Sequence, residues 1–143
     1  MTQRRQRAEQ AIPEVTASGP CPCGTDRTYA ACCAAYVIDG TPPPTAEATM
    51  RSRYTAYVVG AADHLLRTWH PKTRPCDVDL AAEGPEWKRL DVIDVVAGEA
   101  GDATGEVAFA AHWRAGDDSG VLRERSTFTR RGGRWMYVSG VTS

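Results

Sequence analysis

Cys21, Cys23, Cys32 and Cys33 fall within thirteen residues, and four thiols this close together leave the chain around them few ways to fold. Pro22 and Gly24 suit a tight turn that brings the first two thiols together, and an eight-residue excursion supplies the second pair. Four thiolates can close one tetrahedral site. Sulfur ligands favour zinc over calcium or magnesium, which prefer oxygen. A fully thiolate-ligated ion has no open position for substrate, so its role is structural. About thirty residues cannot bury enough apolar surface to fold alone. The metal must supply that stability, on the order of 10 kcal/mol, and its removal is expected to unfold the module.

The competing reading is a pair of disulfides. Bridges between near neighbours such as Cys21–Cys23 or Cys32–Cys33 would be strained rings. Residues 1–18 carry Arg4, Arg5 and Arg7 but no signal-peptide pattern, and no apolar run is long enough to span a bilayer. The expected location is therefore the cytoplasm, where clustered cysteines more often bind metal than pair. Cys76, far from the cluster, reads as a free loop thiol.

The 143 residues suit one compact domain with a small metal-held appendage. We divide them into a tail (1–18), the cysteine module (19–40) and an α+β domain (41–143). With 17 basic and 18 acidic residues, the chain lacks the charge of a general nucleic-acid binder. Asp39 to Pro44 forms a stiff connector. Thr45 is a good N-cap for a helix running to Val59 and ending at Gly60. Its expected buried stripe is Ala46, Met50, Tyr54, Tyr57 and Val58, with Arg51 and Arg53 off centre. A second helix is predicted over Ala61–Trp69, ended by Pro71.

The C-terminal half changes from helical spacing to alternation. Residues 87–96, 105–114, 121–130 and 134–139 read as strands, with turns at Gly98–Gly101, Gly116–Gly120 and Gly132-Gly133. The expected fold is α+β, a curved antiparallel meander wrapped on the first helix. Val107, Phe109, Ala111 and Trp113 share an apolar face, opposite Glu106, His112 and Arg114. Leu122, Glu124, Ser126 and Phe128 share another, which places a carboxylate among apolar neighbours, where it needs a partner. Arg51, Arg53, His70 and Arg123 are candidates. Such a group marks either a ligand pocket at the mouth of the sheet or an edge salt bridge fixing helix to sheet. Trp69, Trp87, Trp113 and Trp135 sit in apolar patterns and read as packing residues. Arg123-Glu124-Arg125 and Arg130-Arg131 read as a solvated strand face and a turn.

Cys21-Pro22-Cys23-Gly24 through Cys32-Cys33 resembles the SEC-C motif, a zinc-binding module also found at the C-terminus of the SecA translocation ATPase. Pro44-Thr45-Ala46-Glu47, Met50-Arg51-Ser52-Arg53-Tyr54, Leu65-Leu66-Arg67-Thr68-Trp69-His70-Pro71, Thr73-Arg74-Pro75 and Arg123-Glu124-Arg125-Ser126 are similar to the bacterial YchJ family, over about residues 20–140. The resemblance implies a SEC-C module joined to a cystatin-like cone of the nuclear-transport-factor-two and SnoaL type. It also implies metal ligands Cys21, Cys23, Cys32 and Cys33. Thr25 and Asp26 stand where the motif usually has Ser and Gly, and Arg27 where it often has Lys. The Thr25 hydroxyl keeps a possible bond to a ligand sulfur, while Asp26 adds negative charge beside a site of net −2, tuning affinity.

Two functions follow. In one, the zinc module docks a protein partner; by analogy with SecA, whose related module contacts the SecB chaperone and ribosomes, this is a secretion chaperone or the ribosome. In the other, the cone holds a small molecule or is an enzyme. Its candidate pocket is Arg51, Arg53, Tyr54, His70, Arg123, Glu124 and Ser126, with Glu124 or His70 as acid/base and an arginine steering an anionic ligand. The aspartate–histidine pairing of several cone-fold enzymes is not evident in the sequence.

Overall fold

A computed structural model describes residues 15–78, 80 and 84–143. Residues 1–14 of the predicted tail lie outside these. Residues 15–18, read from the sequence as the end of that tail, belong to the module: Ala30 N donates to Ala17 O and Val15 packs against the core.

The module is a short hairpin closed by the Pro20–Thr28 bridge, followed by the single-turn helix α1 (Ala34–Val37), which starts directly after Cys33. Helix α2 (Ala46–Val59) begins where predicted. Thr45 Oγ1 accepts from Ala48 N at 3.0 Å, and Gly60 ends the helix in the left-handed region at φ 79°. Helix α3 is shorter than predicted, Ala62–Arg67. Beyond it the chain runs beside the sheet, with Tyr137 N donating to Thr68 O and His70 N to Tyr137 O.

Strands β1 (Glu86–Ala97), β2 (Thr104–Ala115), β3 (Asp118–Arg131) and β4 (Arg134–Thr142) form one antiparallel meander in sequential order. The predicted Gly116–Gly120 turn is tighter: Ala115 pairs with Asp118, leaving Gly116-Asp117 as a two-residue loop. Gly120 is a strand residue instead, and the Trp113 ring packs over it. Gly132 and Gly133 both take positive φ, as a two-residue hairpin turn of this hand requires. Bulges in β1 at Trp87/Arg89 and Val92/Asp94, and in β4 at Val138 opposite Thr127/Phe128, curve the sheet.

Helix α2 lies on the concave side. The one-sided stripe predicted for it is too narrow. Ala46, Met50, Tyr54 and Val58 are buried, but so are Thr49, Ser52, Arg53 and Thr55. Tyr57 is the stripe member left partly exposed. The helix is covered by the sheet, by α3 and by the cysteine module, so its polar residues are enclosed and bonded within the protein. Ser52 donates to Thr49 O and contacts His64 Nε2 at 2.8 Å. His64, an unremarked position in the sequence, is 2% exposed and pushed down to about 4 by burial, then by Arg67 and Arg53.

Candidate functional sites: a thiol cluster and a cone cavity

The turn after Cys21 is closed by Gly24 N donating to Cys21 O, with Gly24 at φ +84°. A Cβ there would stand 3.3 Å from Leu90 O, so glycine permits both the turn and the module's approach to β1. This turn and the start of α1 bring the four sulfurs within 4.8 Å of one another, all on buried residues. Cys23 and Cys32 are 3.6 Å apart, Cys32 and Cys33 4.0 Å. A tetrahedral ion with metal–sulfur bonds of about 2.3 Å requires sulfur separations of roughly 3.8 Å, so the donor set fits a metal ion. All five cysteines are free thiols, and Cys76 is exposed. Packing the sulfurs together also spreads their proton affinities. Hydrogen bonds from Cys23 and then Cys33 hold the Cys21 thiol far below its usual range, while the reciprocal bond to Cys21 pushes Cys23 up to about 11.

Thr25 Oγ1 lies 3.2 Å from Cys32 Sγ and 3.7 Å from Cys23 Sγ, the contact expected of a hydroxyl at this position. Arg27 Nη2 adds a longer contact of 3.8 Å to Cys32 Sγ. Asp26 takes φ 69°, which explains why glycine suits that place in the motif. The cluster is sealed by α2. Thr55 Oγ1 is 3.9 Å from Cys21 Sγ, and Arg51 donates to Cys23 O while pairing with Glu47 at 2.9 Å.

The second site is a cavity of about 250 Å³ inside the cone, between α2, the segment after α3 and the sheet. Of the predicted pocket residues, Arg53, Tyr54, Glu124 and Ser126 line it. Arg51, His70 and Arg123 do not. Arg51 faces the module because it stands two positions from Arg53 on the helix, on another side of it. His70 Nδ1 accepts from Lys72 N. Arg123 is exposed, on the face of β3 opposite Glu124.

The edge salt bridge weighed for Glu124 does not form among the described residues. Glu124 Oε2 instead accepts from Ser126 Oγ at 2.6 Å and Tyr137 OH at 3.4 Å. Burial, then Glu124, pushes the Tyr137 hydroxyl up to about 12, which keeps it a donor. Gly140, opposite Ser126, leaves the space the Glu124 carboxylate fills. Arg53 Nη1 donates to Leu65 O and Thr68 Oγ1, both at 2.8 Å. Its guanidinium carbon lies 4.8 Å from the Trp69 ring centroid and 4.7 Å from that of Tyr137. Burial lowers Arg53 to about 10, so it stays cationic at neutral pH. Trp69 and Trp87 are cavity walls, Trp135 is core, and its Nε1 donates to Pro44 O.

An aspartate–histidine pair missed in the sequence joins Asp91 Oδ2 to His112 Nε2 at 2.9 Å, across β1 and β2. It lies on the outer face of the sheet with Arg89, away from the cavity. Neither member belongs to a sequence motif; only the strand register brings them together.

The SEC-C motif family model matches residues 20–35, and the model of the YchJ middle NTF2-like domain matches residues 45–140. A UPF0225 protein of Streptomyces coelicolor is 47% identical over 121 residues, 85% of this chain and 94% of that protein. A UPF0225 protein of Chromobacterium violaceum is 45% identical over 130 residues, 89% and 96% respectively. Among solved structures, a SEC-C motif-containing protein of Rhodopseudomonas palustris superposes with a TM-score of 0.76 at 29% identity, covering 87% of this chain and 98% of that one. One from Psychrobacter arcticus gives 0.72 at 24%, covering 89% and 84%, and supports the fold alone.

Proposed function

The chain belongs to the YchJ family, and from that premise we propose that it is a zinc-held adaptor whose SEC-C module docks a protein partner. The observation that carries this reading is the closed, buried set of four sulfurs. An ion held by all four would have no position for substrate, and the thiolate set suits zinc. The metal's work is then to fix a rigid module on the cone, with Thr28, Ala31 and Ile38 turned to solvent. By analogy with the SecA module the partner is a secretion chaperone or the ribosome, in a reducing cytoplasm where the thiols remain available to metal. No described helix is long and apolar enough to cross a membrane.

The test is cosedimentation with ribosomes and titration with a secretion chaperone. Wild type is compared with Cys32→Ser/Cys33→Ser and with Ala31→Glu/Ile38→Asp, a surface pair that leaves the ligands intact. Binding by wild type, lost in both variants while the surface pair retains its metal, is the expected result. Binding to neither partner, or binding indifferent to both variants, would remove the adaptor reading.

A further inference from the structure

We propose that the cone cavity binds a small aromatic monocarboxylate, with its carboxylate on Arg53 and the Trp69 indole N–H and its ring among the aromatic walls. This site is separate from the cysteine module and does not depend on the adaptor role.

Arg53 is 6% exposed, and its Nη1 hydrogens are committed to Leu65 O and Thr68 Oγ1. Those bonds fix the plane of the guanidinium. Among the described residues no protein acceptor takes its Nε or Nη2 hydrogens, and no carboxylate lies within 4.0 Å of it. A buried cation with no anion in direct contact is costly, and Glu124 acts on Arg53 only from a distance. Its cation–π contacts with Trp69 and Tyr137 hold the ring faces but leave the edge donors unused. Independently, Trp69 Nε1 is buried with no hydrogen-bond partner among the described residues, and orphaned buried donors are rare enough to require an explanation. Arg53 and Trp69 line the same cavity.

Unused donors on a planar fork and one indole N–H call for an acceptor with two oxygens, and a carboxylate matches the guanidinium edge in a bidentate pair. The remaining walls, including Trp87, Phe109, Leu122 and Phe128, suit an apolar flat body. At about 30 Å³ per water-sized unit, the volume admits roughly eight such units, the size of one substituted ring. Glu124 restricts the charge. With one carboxylate and one guanidinium already in the cavity, a bound monoanion leaves a single negative charge in excess, whereas a phosphate dianion leaves two.

The experiment is calorimetric titration of the full, metal-loaded chain with benzoate, with its neutral and cationic isosteres benzamide and benzamidine, and with inorganic phosphate. Benzoate is expected to bind saturably in the millimolar to micromolar range appropriate to so few heavy atoms. Benzamide should be about tenfold weaker, and benzamidine and phosphate silent. Trp69→Phe should weaken benzoate several-fold, and Glu124→Gln, which removes the like charge without changing shape, should tighten it. Both conservative variants are checked for native circular dichroism, and Arg53→Lys provides a third arm, expected to lose bidentate binding. Preference for benzamidine would make Glu124 the recognition pole and overturn the proposal. So would no saturable benzoate binding, or benzoate binding unchanged in both Trp69→Phe and Glu124→Gln.

Discussion

Thr25 places its hydroxyl on two of the four cluster sulfurs. Bonds of this kind orient ligands and tune metal affinity by about 10–100-fold, so Thr25→Val is expected to weaken metal binding about tenfold in competition with a chelating dye, with the fold intact. His64 supplies a pH prediction. Ser52 Oγ donates to Thr49 O, so it accepts from His64 Nε2–H, leaving Nδ1 to accept from Arg67. The imidazole is therefore neutral when folded, with its value down at about 4 against 6.5 in the unfolded chain. The unfolded state takes the proton first. Stability is complete above about pH 6.5 and falls as pH drops toward 4, by up to about 3 kcal/mol. Urea midpoints at equal metal saturation should separate less between pH 7.5 and 5 for His64→Gln than for wild type. At this scale the cysteines were legible because adjacent sequence positions carry them. Arg53 and Arg51 were not separable, since their different surroundings are made by segments distant in sequence. The Trp69 N–H, without a partner among the described residues, carries no sequence signal at all.

Among the elements, α2 decides where everything else sits. Its start and stop were legible in Thr45 and Gly60, because caps are local chemistry. Its burial was not, because a helix covered on several sides is no longer described by one stripe. Thr45→Ala removes the cap bond and should cost about 1 kcal/mol in chemical denaturation. Arg51→Met removes the bond to Cys23 O, and hydrogen exchange should quicken in the module turn while the sheet amides keep their protection. The β1–β2 hairpin also meets α2 closely. A Cβ at Gly105 would stand 2.5 Å from Gly98 Cα and 3.1 Å from Ala46 Cβ. Gly105→Ala is thus expected to destabilise by about 1–3 kcal/mol, read as a lower urea midpoint. The four strands were legible from alternation to within a few residues. The bulges were not, since they answer to curvature that only the packed sheet requires.

For the whole molecule, the boundary between module and domain is visible in composition and absent from the packing. The four cysteines and Tyr29 belong to one continuous core with Met50, Tyr54, Leu90 and Phe109. An appendage that unfolds alone on losing its metal is the sequence expectation; the shared core makes the loss felt by α2 and the sheet as well. Removing metal should therefore lower the thermal midpoint of the chain's main transition, not add a separate early one. The most direct test of this account is the intact mass after brief alkylation of the native protein, with and without a chelator. Cys76 serves as the exposed internal standard and the cluster thiols as the reporters. The account predicts a single adduct before chelation and five after it. Five adducts at equal rates before chelation would contradict a metal-held cluster, as would a single adduct that persists after the metal has been removed.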